Sequence, residues 1–518
     1  MTDVRTVTQA LLRQLGMTTV FGNPGSTELP MFRDFPEDFH YVLGLQESVV
    51  LAMADGYAQG TGRAALVNLH ATAGTGHALG NLFTAFRNQT PLVVTAGQQA
   101  RSILPFEPFL FAERATEFPR PFVKWAVEPA RAQDVPGAIA RAWAVAMQPP
   151  CGPTFVSIPI DDWEQPCDPV HAPRLGAANP GDPALLREAA ALLAGAARPA
   201  LVLGAGVARD GGWHAAIALA ERHQAAVFVA PFSARASFPE QHPLFAGFLD
   251  PRREAIVAAL AGHDVIIALG GPVSLYHVEG SGPHLPPGST TVFIADNPAH
   301  VSWAPCDLGI VAHAGHALAR LLDAPAPAGR VPPQQRAAPP VLNPGLLDDR
   351  WLLDRVAALR PDGAIIVEES PTARGPMHDH LPITAPDSFY TCASGGLGHG
   401  LPAAVGLALA QPQRKVIALL GDGSAMYAIQ GLWSAAKMGL PVSFVILNNG
   451  RYEALQGFGR LFGMQTVAGT DLSGLDFCGF ARAQGLESRR VDTTDALDAA
   501  LAWSFAAAAP TLVEVMIA

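Results

Sequence analysis

Residues 421–449, GDGSAMYAIQGLWSAAKMGLPVSFVILNN, decide how the rest of the chain is read. The segment before them, KVIALL, is a continuous apolar run of the kind that forms a strand buried on both faces. Gly421, Asp422, Gly423 and Ser424 turn off its end. AMYAIQGLWSAAKMG then has helical spacing, with Ile429, Leu432, Trp433 and Ala436 on one stripe, and VSFVILNN is the next strand. In a strand–helix–strand unit the two strand ends lie side by side, so Asp422 and Asn449 are expected to face one point. A hard cation such as Mg²⁺ (or Ca²⁺) wants oxygen ligands and leaves positions open for phosphate oxygens. Gly421 and Gly423 let the backbone approach those phosphates, and the start of the following helix favours negative charge. GDG alone fits an ordinary capped turn; the asparagine at the neighbouring strand end makes the pair a candidate metal and diphosphate site.

The same alternation of apolar run and helical pattern extends in both directions. The strand candidates are TTVFG, YVLGL, AALVNL, PLVVTAG and TFVSIP in a first block, then PALVLG, AAVFVA, DVIIALG and TTVFIAD in a second. AIIVEE, KVIALLG, VSFVILN and TLVEVMI follow in a third. Two proline-rich stretches, residues 162–183 and 324–345, separate the blocks and read as linkers, since prolines lack an amide donor. The expected architecture is α/β: three doubly wound parallel-sheet domains over 1–165, 180–325 and 345–518. In such sheets ligands sit beyond the carboxyl ends of the strands.

A chain of 518 residues agrees with about three domains of roughly 150 residues each. Charged residues make up 15% and hydrophobic residues 49%, which suits large buried faces. The net charge of −11, with no block of Lys or Arg, argues against nucleic acid and acidic membrane surfaces as partners. The five cysteines form no C-x-x-C pair, so reduced thiols are expected rather than a disulfide framework or a zinc site. MTDVRTVTQALLRQLG reads as an amphipathic helix rather than a signal peptide, and no apolar run is long enough to span a membrane. A cytoplasmic enzyme is expected.

The GDG…NN composite resembles the signature of thiamine diphosphate enzymes. The resemblance implies a third metal ligand at the backbone carbonyl of Arg451, and contacts to the cofactor from Gly421, Asp422, Gly423, Ser424 and Thr372. An enzyme of this kind needs a carboxyl group against the aminopyrimidine, with its pKa raised by a poorly solvated site. The candidate is Glu47, which follows the second strand candidate and opens an Ala-rich helix; a dipole-complementing first-turn Glu fits the same position. Leu397, after Gly395 and Gly396, is the candidate large aliphatic residue that holds the cofactor bent, with the Gly395 carbonyl as acceptor for its amino group.

Three polar residues fall after strand candidates: Ser26 in FGNPGSTELP, His70 in NLHATAGTGHALG and His277 in GGPVSLYHVEG; His399 stands beside Leu397. With QESVVLAMADGYAQ, PLVVTAGQQ, PRPFVKWAVEPA, ASGGLGHGLPAAVG and GDGSAMYAIQGLWSAA, these segments resemble the benzoylformate decarboxylase family over nearly the whole chain. That resemblance implies decarboxylation of phenylglyoxylate to benzaldehyde and CO₂ through the cofactor's ylide, with carboligation as a side activity and a place in mandelate breakdown. By position, Ser26 would bind the substrate carboxylate. His70 would handle protons on the tetrahedral intermediates, and His277 would protonate the carbanion left after CO₂ departs. A histidine pair suits these roles because imidazole titrates near neutrality.

The resemblance also implies an apolar pocket for the aryl group, formed by Ser26, Phe109, Leu110, Thr372, Thr391, Ala454 and Phe458. Phe109 is bulkier and Thr391 smaller and more polar than it suggests, and Glu453 stands where a very small residue is expected, so a different aryl or alkyl group is accommodated. The family implies a homotetramer, a dimer of dimers with the cofactor at the dimer interface. Competing readings are an acetolactate synthase-like carboligase, a decarboxylase of another 2-keto acid, and a regulator that binds the cofactor without catalysis. LVLGAGVARDG lacks a full G-x-G-x-x-G and an acidic residue on the next strand, so Gly204 and Gly206 are read as structural and neither flavin nor NAD is expected.

Overall fold

The computed structural model describes residues 2–517 except Pro173 and Ala328. The chain forms two compact units, one of Met1–Gly176, Asn343–Gly375 and Ser394–Ala518, the other of Ala177–Leu342 and Pro376–Ala393.

The first unit carries an N-terminal sheet of β1 (Thr19–Gly22), β2 (His40–Leu43), β3 (Ala65–Leu69), β4 (Leu92–Gln98), β5 (Ala126–Val127) and β6 (Thr154–Pro159). Their order is β2-β1-β3-β4-β6-β5, with every pairing parallel. The N-terminal amphipathic helix spans Val4–Leu15, capped by Asp3 accepting from the Thr6 amide, and buries Val4, Val7, Leu11 and Leu12 in the core that also holds Val135, Ile139 and Val156.

In the second unit β7 (Pro199–Leu203), β8 (Ala226–Val229), β9 (Phe245–Phe248), β10 (Val265–Leu269), β11 (Thr290–Ala295) and β12 (Leu308–Val311) form a parallel sheet in the order β12-β11-β10-β7-β8-β9. The strand order reverses between β7 and β10. There a Cβ on Gly204 would lie 2.5 Å from the Gly271 Cα, and one on Gly206 would lie 2.7 Å from the Gly270 Cα. Both glycines are therefore required by loop-on-loop packing, which accounts for them without a dinucleotide.

The C-terminal strands are β13 (Ile365–Glu369), β14 (Phe389–Thr391), β15 (Val416–Gly421), β16 (Val442–Asn448), β17 (Glu487–Val491) and β18 (Thr511–Met516). Within the first unit they run β13-β15-β16-β18-β17, all parallel. β14 falls in the 376–393 segment of the second unit, where the Thr391 amide bonds to the Ala234 carbonyl.

Every apolar run taken as a strand forms one. The strands that periodicity did not reveal include β5, β9, β12 and β17, which occupy sheet edges. An edge strand is covered on fewer sides and needs less apolar sequence; β17 reads ESRRV.

The helix after GDGS is corrected by the structure. It begins at Asp422, and two pieces, Asp422–Met426 and Gly431–Met438, replace one continuous helix. Between them Ala428, Gly431 and Leu432 bond to carbonyls three residues back, a tighter winding that resets the helical phase. Leu432, Ser434 and Ala435 are consequently buried, while Trp433 and Ala436 are half-buried.

One helix pair ties the two sheets of the first unit together. The helix Glu47–Thr61 lies against Gly400–Ala410 with backbone on backbone: a Cβ on Gly56 would sit 2.1 Å from the Ala403 carbonyl oxygen, and one on Gly406 1.9 Å from that of Met53. The five cysteines are free thiols. Among the described residues no helix is long and apolar enough to cross a membrane.

Candidate active site

The carboxyl ends of β1 and β3 bring Glu28 and His70 together. His70 is the N-cap of the helix Ala71–Asn88, and its Nδ1 lies 2.8 Å from Glu28 Oε2. Glu28 is almost fully buried and also accepts from the Gly25 amide (2.9 Å), the Gly97 amide (2.9 Å) and the Thr27 hydroxyl (2.6 Å). A carboxylate with this many hydrogen-bond partners is held in one place. It fixes the Nδ1 proton of His70 and leaves Nε2 to face outward.

Two glycines make the arrangement possible. A Cβ on Gly25 would sit 2.0 Å from His70 Nδ1, and one on Gly97 2.1 Å from Glu28 Oε1. Ala71, directly after His70, adopts φ 46, a conformation L residues rarely take and one that tends to mark functional turns. A cavity of about 170 Å³ opens beside this turn, lined by Ala71, Thr72, Gly97, Phe118 and Ser157 among others; none of the expected pocket residues lines it.

Glu47 stands at the first turn of its helix after β2, N-capped by Gln46, whose side-chain oxygen accepts from the Ser48 and Val49 amides. Its Oε2 lies 3.0 Å from Nδ1 of His77, about two turns along the neighbouring helix from His70. The Glu47 side chain is 13% exposed and that of His77 62%.

On the C-terminal sheet the expected meeting of strand ends is realised. β15 and β16 are neighbours in register, Gly421 opposite Leu447, so the GDGS turn and the Asn449 turn adjoin. Asp422 Oδ1 accepts from the Gly423 amide at 2.7 Å, while its buried Oδ2 has no hydrogen-bond partner. Burial pushes the Asp422 carboxyl up, against the opposing influence of the amides of Gly423, Gly450, Arg451 and Asn449. Two of those amides are already committed: Gly450 donates to Asn448 Oδ1 and Arg451 to Asn449 Oδ1. A buried carboxylate oxygen without a partner is costly unless a cation meets it. Asn448 itself turns inward to Glu514.

Asp422, Asn449 and the Arg451 carbonyl are an all-oxygen set, the chemistry a hard divalent cation takes. The helix Asp422–Met426 starts on this turn, with Ser424 buried in it. Gly423 leaves room for the Tyr452 ring, which a Cβ there would meet at 2.1 Å. The residues present fit a metal-bound diphosphate.

Leu397, half-buried, sits in a turn anchored from below. Glu369 accepts from the amides of Gly398 (2.5 Å) and Gly400, and Asn81 donates to the Gly398 carbonyl at 3.1 Å. Burial pushes Glu369 up to about 7. Gly395, exposed at φ 72, has open space where a side chain would stand. His399 points away from this surface into a buried pair with Asp55 on the Glu47 helix.

The remaining expected residues are more scattered. Ser26 and Thr372 are exposed on the turns after β1 and β13. Phe109 is 86% exposed and Leu110 adopts φ 65. Ala454 and Phe458 share the helix Glu453–Leu461, with Phe458 stacked on Phe462. Glu453 is engaged by Arg460 and Arg451, which hold it below the usual carboxylate range. His277, in the second unit, is exposed in the loop after β10; its ring packs edge-on against Phe232. Thr391 lies in the same unit on β14. Glu47 has no hydrogen bond to any residue of the diphosphate side among the described residues.

Sequence reasoning missed Glu28, His77 and Glu369. Glu28 lies within the FGNPGSTELP segment, two residues past Ser26, and the one acid of that turn was the available signal.

Comparison with known proteins agrees with this geometry. Residues 2–114 match the thiamine pyrophosphate enzyme N-terminal TPP binding domain, 186–321 the central domain and 373–515 the C-terminal TPP binding domain. A benzoylformate decarboxylase of Pseudomonas aeruginosa is 43% identical, covering 99% of both chains. The crystal structure of benzoylformate decarboxylase from Polynucleobacter necessarius superposes with a TM-score of 0.98 at 40% identity, over 100% of this chain and 99% of that one. A 4-hydroxybenzoylformate decarboxylase of Rhodococcus jostii gives 0.96 at 41% identity with the same coverage. Acetolactate synthases match at lower identity, 27% for the large subunit of Parasynechococcus marenigrum, covering 97% of this chain and 86% of that one. With three thiamine pyrophosphate domains in chain order and a full-length similarity of this kind, the chain belongs to the thiamine diphosphate-dependent enzymes, in their benzoylformate decarboxylase family.

Proposed function

We propose that this enzyme decarboxylates an aromatic 2-keto acid, phenylglyoxylate or a ring-substituted relative, to the aldehyde and CO₂. The observation that carries the reading is the buried, unpartnered oxygen of Asp422 at the junction of two strand ends, next to a helix start. Asp422, Asn449 and the Arg451 carbonyl hold Mg²⁺, and Gly421, Gly423 and Ser424 hold the diphosphate, with Thr372, Gly395 and Leu397 against the rest of the cofactor. When bound, thiamine diphosphate supplies the electron sink that a 2-keto acid lacks for losing CO₂.

The chain's own groups do the rest. Glu47 shares a proton with a ring nitrogen of the cofactor. Ser26 binds the substrate carboxylate. His70 holds and moves a proton at Nε2 while Glu28 keeps its Nδ1 proton fixed, and His277 delivers a proton at the carbon that loses CO₂. Phe109, Leu110, Thr391, Ala454 and Phe458 surround the aryl group.

Glu47 bonds to His77 and not to the diphosphate side of its own chain, which favours a site completed by a second copy. Phe106, Phe109, Leu461 and Phe462 are large apolar side chains left exposed on the single chain, as at a face that a second copy covers. A homotetramer built from such dimers, three domains over 1–165, 180–325 and 345–518, and a cytoplasmic location complete the reading. The relatives' substrates, benzoylformate and its 4-hydroxy form, support the aromatic class.

The test is aldehyde formation from phenylglyoxylate, 4-hydroxyphenylglyoxylate and pyruvate by enzyme supplied with thiamine diphosphate and Mg²⁺. The aromatic acids are expected to turn over faster by kcat/KM. Acetolactate from pyruvate, with no aldehyde from either aromatic acid, would reject the assignment.

A further inference from the structure

Asn448 and Glu514 are buried polar residues that the roles given so far leave unused. They lie on neighbouring parallel strands of the C-terminal sheet, Asn448 at the carboxyl end of β16 and Glu514 within β18, opposite Ile446. Strand residues at i and i+2 share a face, so the Glu514 carboxyl group reaches Asn448 along one side of the sheet. Asn448 is 4% exposed and Glu514 0%. Polar groups this deep in an apolar sheet are costly unless each has a partner.

Both are fully engaged. Glu514 Oε1 accepts from Asn448 Nδ2 at 2.8 Å, and Oε2 from the Cys478 amide at 3.3 Å. Asn448 Oδ1 accepts in turn from the Gly450 amide at 3.0 Å, and the Asn448 carbonyl from the Ile517 amide at 3.0 Å. The side-chain amide of Asn448 is thus clamped between β18 and the turn that follows β16. Flipping it would set its NH₂ against the Gly450 N–H, so the acceptor at Glu514 and the donor at Gly450 together select one orientation.

The turn itself depends on that orientation. Gly450 takes φ 67, and its amide is the group that Asn448 receives. The next amide, of Arg451, bonds to Asn449 Oδ1 at 3.1 Å. From the outer side the Leu472 amide donates to the Gly450 carbonyl at 2.8 Å, and the Tyr452 amide to the Thr470 carbonyl at 2.9 Å. Segment 470–472 therefore holds the turn from outside, and Asn448, backed by Glu514, holds it from the sheet.

We propose that Glu514 is a positioning residue for the metal: through Asn448 it sets the turn that aims the Asn449 side chain and the Arg451 carbonyl at the cation beside Asp422. The inference rests on the metal set given under the proposed function and deepens it. Mg²⁺ demands near-ideal octahedral geometry, whereas Ca²⁺ accepts varied coordination. A turn released from Asn448 is therefore a worse site for Mg²⁺ than for Ca²⁺.

The experiment is calorimetric titration of metal-free enzyme, in the presence of thiamine diphosphate, with Mg²⁺ and separately with Ca²⁺, alongside thermal melts without cofactor. Glu514→Met fills the space but offers Asn448 no acceptor; it is expected to raise the Mg²⁺ dissociation constant by about 10–100-fold, and that of Ca²⁺ by less. Glu514→Gln keeps an acceptor and is expected to bind Mg²⁺ nearly as wild type does. Asn448→Ala should match Glu514→Met, and the double variant should lose no more than either alone, because the two act as one unit. Wild-type Mg²⁺ affinity in Glu514→Met overturns the proposal. So do equal losses for the two cations, or losses that add in the double variant, since either marks a general weakening of the domain. If neither single variant melts cooperatively without cofactor, the pair belongs to the core and the positioning role is rejected. Asp422→Ala separates the two layers. If it binds Mg²⁺ as wild type does, the metal set itself fails. If it loses Mg²⁺ while Glu514→Met does not, the set stands and only the role of Glu514 falls.

Discussion

Two buried carboxylates at strand ends of the same unit, Glu28 and Asp422, are treated in opposite ways. Glu28, 2% exposed, receives hydrogen bonds from two backbone amides and a hydroxyl, and grips His70 with what remains. Asp422, 5% exposed, receives one amide on Oδ1 and leaves Oδ2 bare. A saturated carboxylate has nothing left to bind, so its work is to hold a neighbour in one tautomer and orientation. An unsaturated one is in deficit, and a cation removes the deficit. The N-terminal sheet thus carries a wired, proton-handling half, and the C-terminal sheet a half completed by what it binds.

Breaking the unsaturated side is expected to have the largest effect. Asp422→Ala removes a proposed metal ligand. Since loss of an outer partner alone weakens metal sites by about 10–100-fold, the dissociation constant for thiamine diphosphate with Mg²⁺ should rise by more than about 100-fold. Without cofactor the same substitution should leave the fold intact or more stable, because it deletes a buried carboxylate that burial already pushes up. Calorimetric titration and thermal melts check both halves of the statement. A variant that binds the cofactor normally would end the contrast with Glu28.

Breaking the saturated side should show the reverse pattern. Glu28→Gln sets an amide NH₂ against groups that are all donors, leaving some of them unpaired at a cost of about 1–3 kcal/mol. The variant should melt earlier than wild type and still bind cofactor. With the His70 tautomer no longer fixed, kcat should fall by about 10²-fold, within the range a positioned acid–base group supplies, while KM moves little. Steady-state kinetics on phenylglyoxylate and a cofactor titration separate this outcome from loss of the site.

The difference between these halves also explains what the sequence disclosed. Asp422 and Asn449 were legible because one strand–helix–strand unit joins them, so chain spacing and spatial adjacency coincide. Glu28 and His77 were not, because their partners come from other elements: His70 after β3 for one, Glu47 on a neighbouring helix for the other. His399, which stands beside Leu397 in the chain, turns inward to Asp55 on the Glu47–Thr61 helix, a pairing that chain position does not disclose. Buried parallel strands stood out as unbroken apolar runs, whereas the edge strand ESRRV gave no such signal. The break at 427–430 came from local winding that a helical stripe cannot register.

The smallest expected effect concerns the base of the Leu397 turn, where the two halves share a titrating network. Glu369 accepts from the amides of Gly398 and Gly400, and His399 between them pairs with Asp55. Burial raises Glu369 from 4.5 to about 7. Burial opposes the charge on His399, but Asp55 outweighs it and raises the imidazole above 6.5. A group whose folded pKa is raised contributes stability below its unfolded pKa and loses it as pH climbs through the folded one. Both groups therefore act in the same direction, Glu369 between about 4.5 and 7 and His399 above 6.5. Asp55, held low by His399 against its own burial, gives way only under acid. The melting temperature should fall as pH rises from 5.5 to 8.5. A shift the size of that on Glu369 is worth on the order of 3 kcal/mol, which in a chain this long amounts to a few degrees. His399→Gln should melt lower throughout and with a shallower pH slope, since its buried partner Asp55 loses the cation that balances it. Melts of both proteins at three pH values measure the slopes directly, and parallel curves would show that this network does not respond to pH.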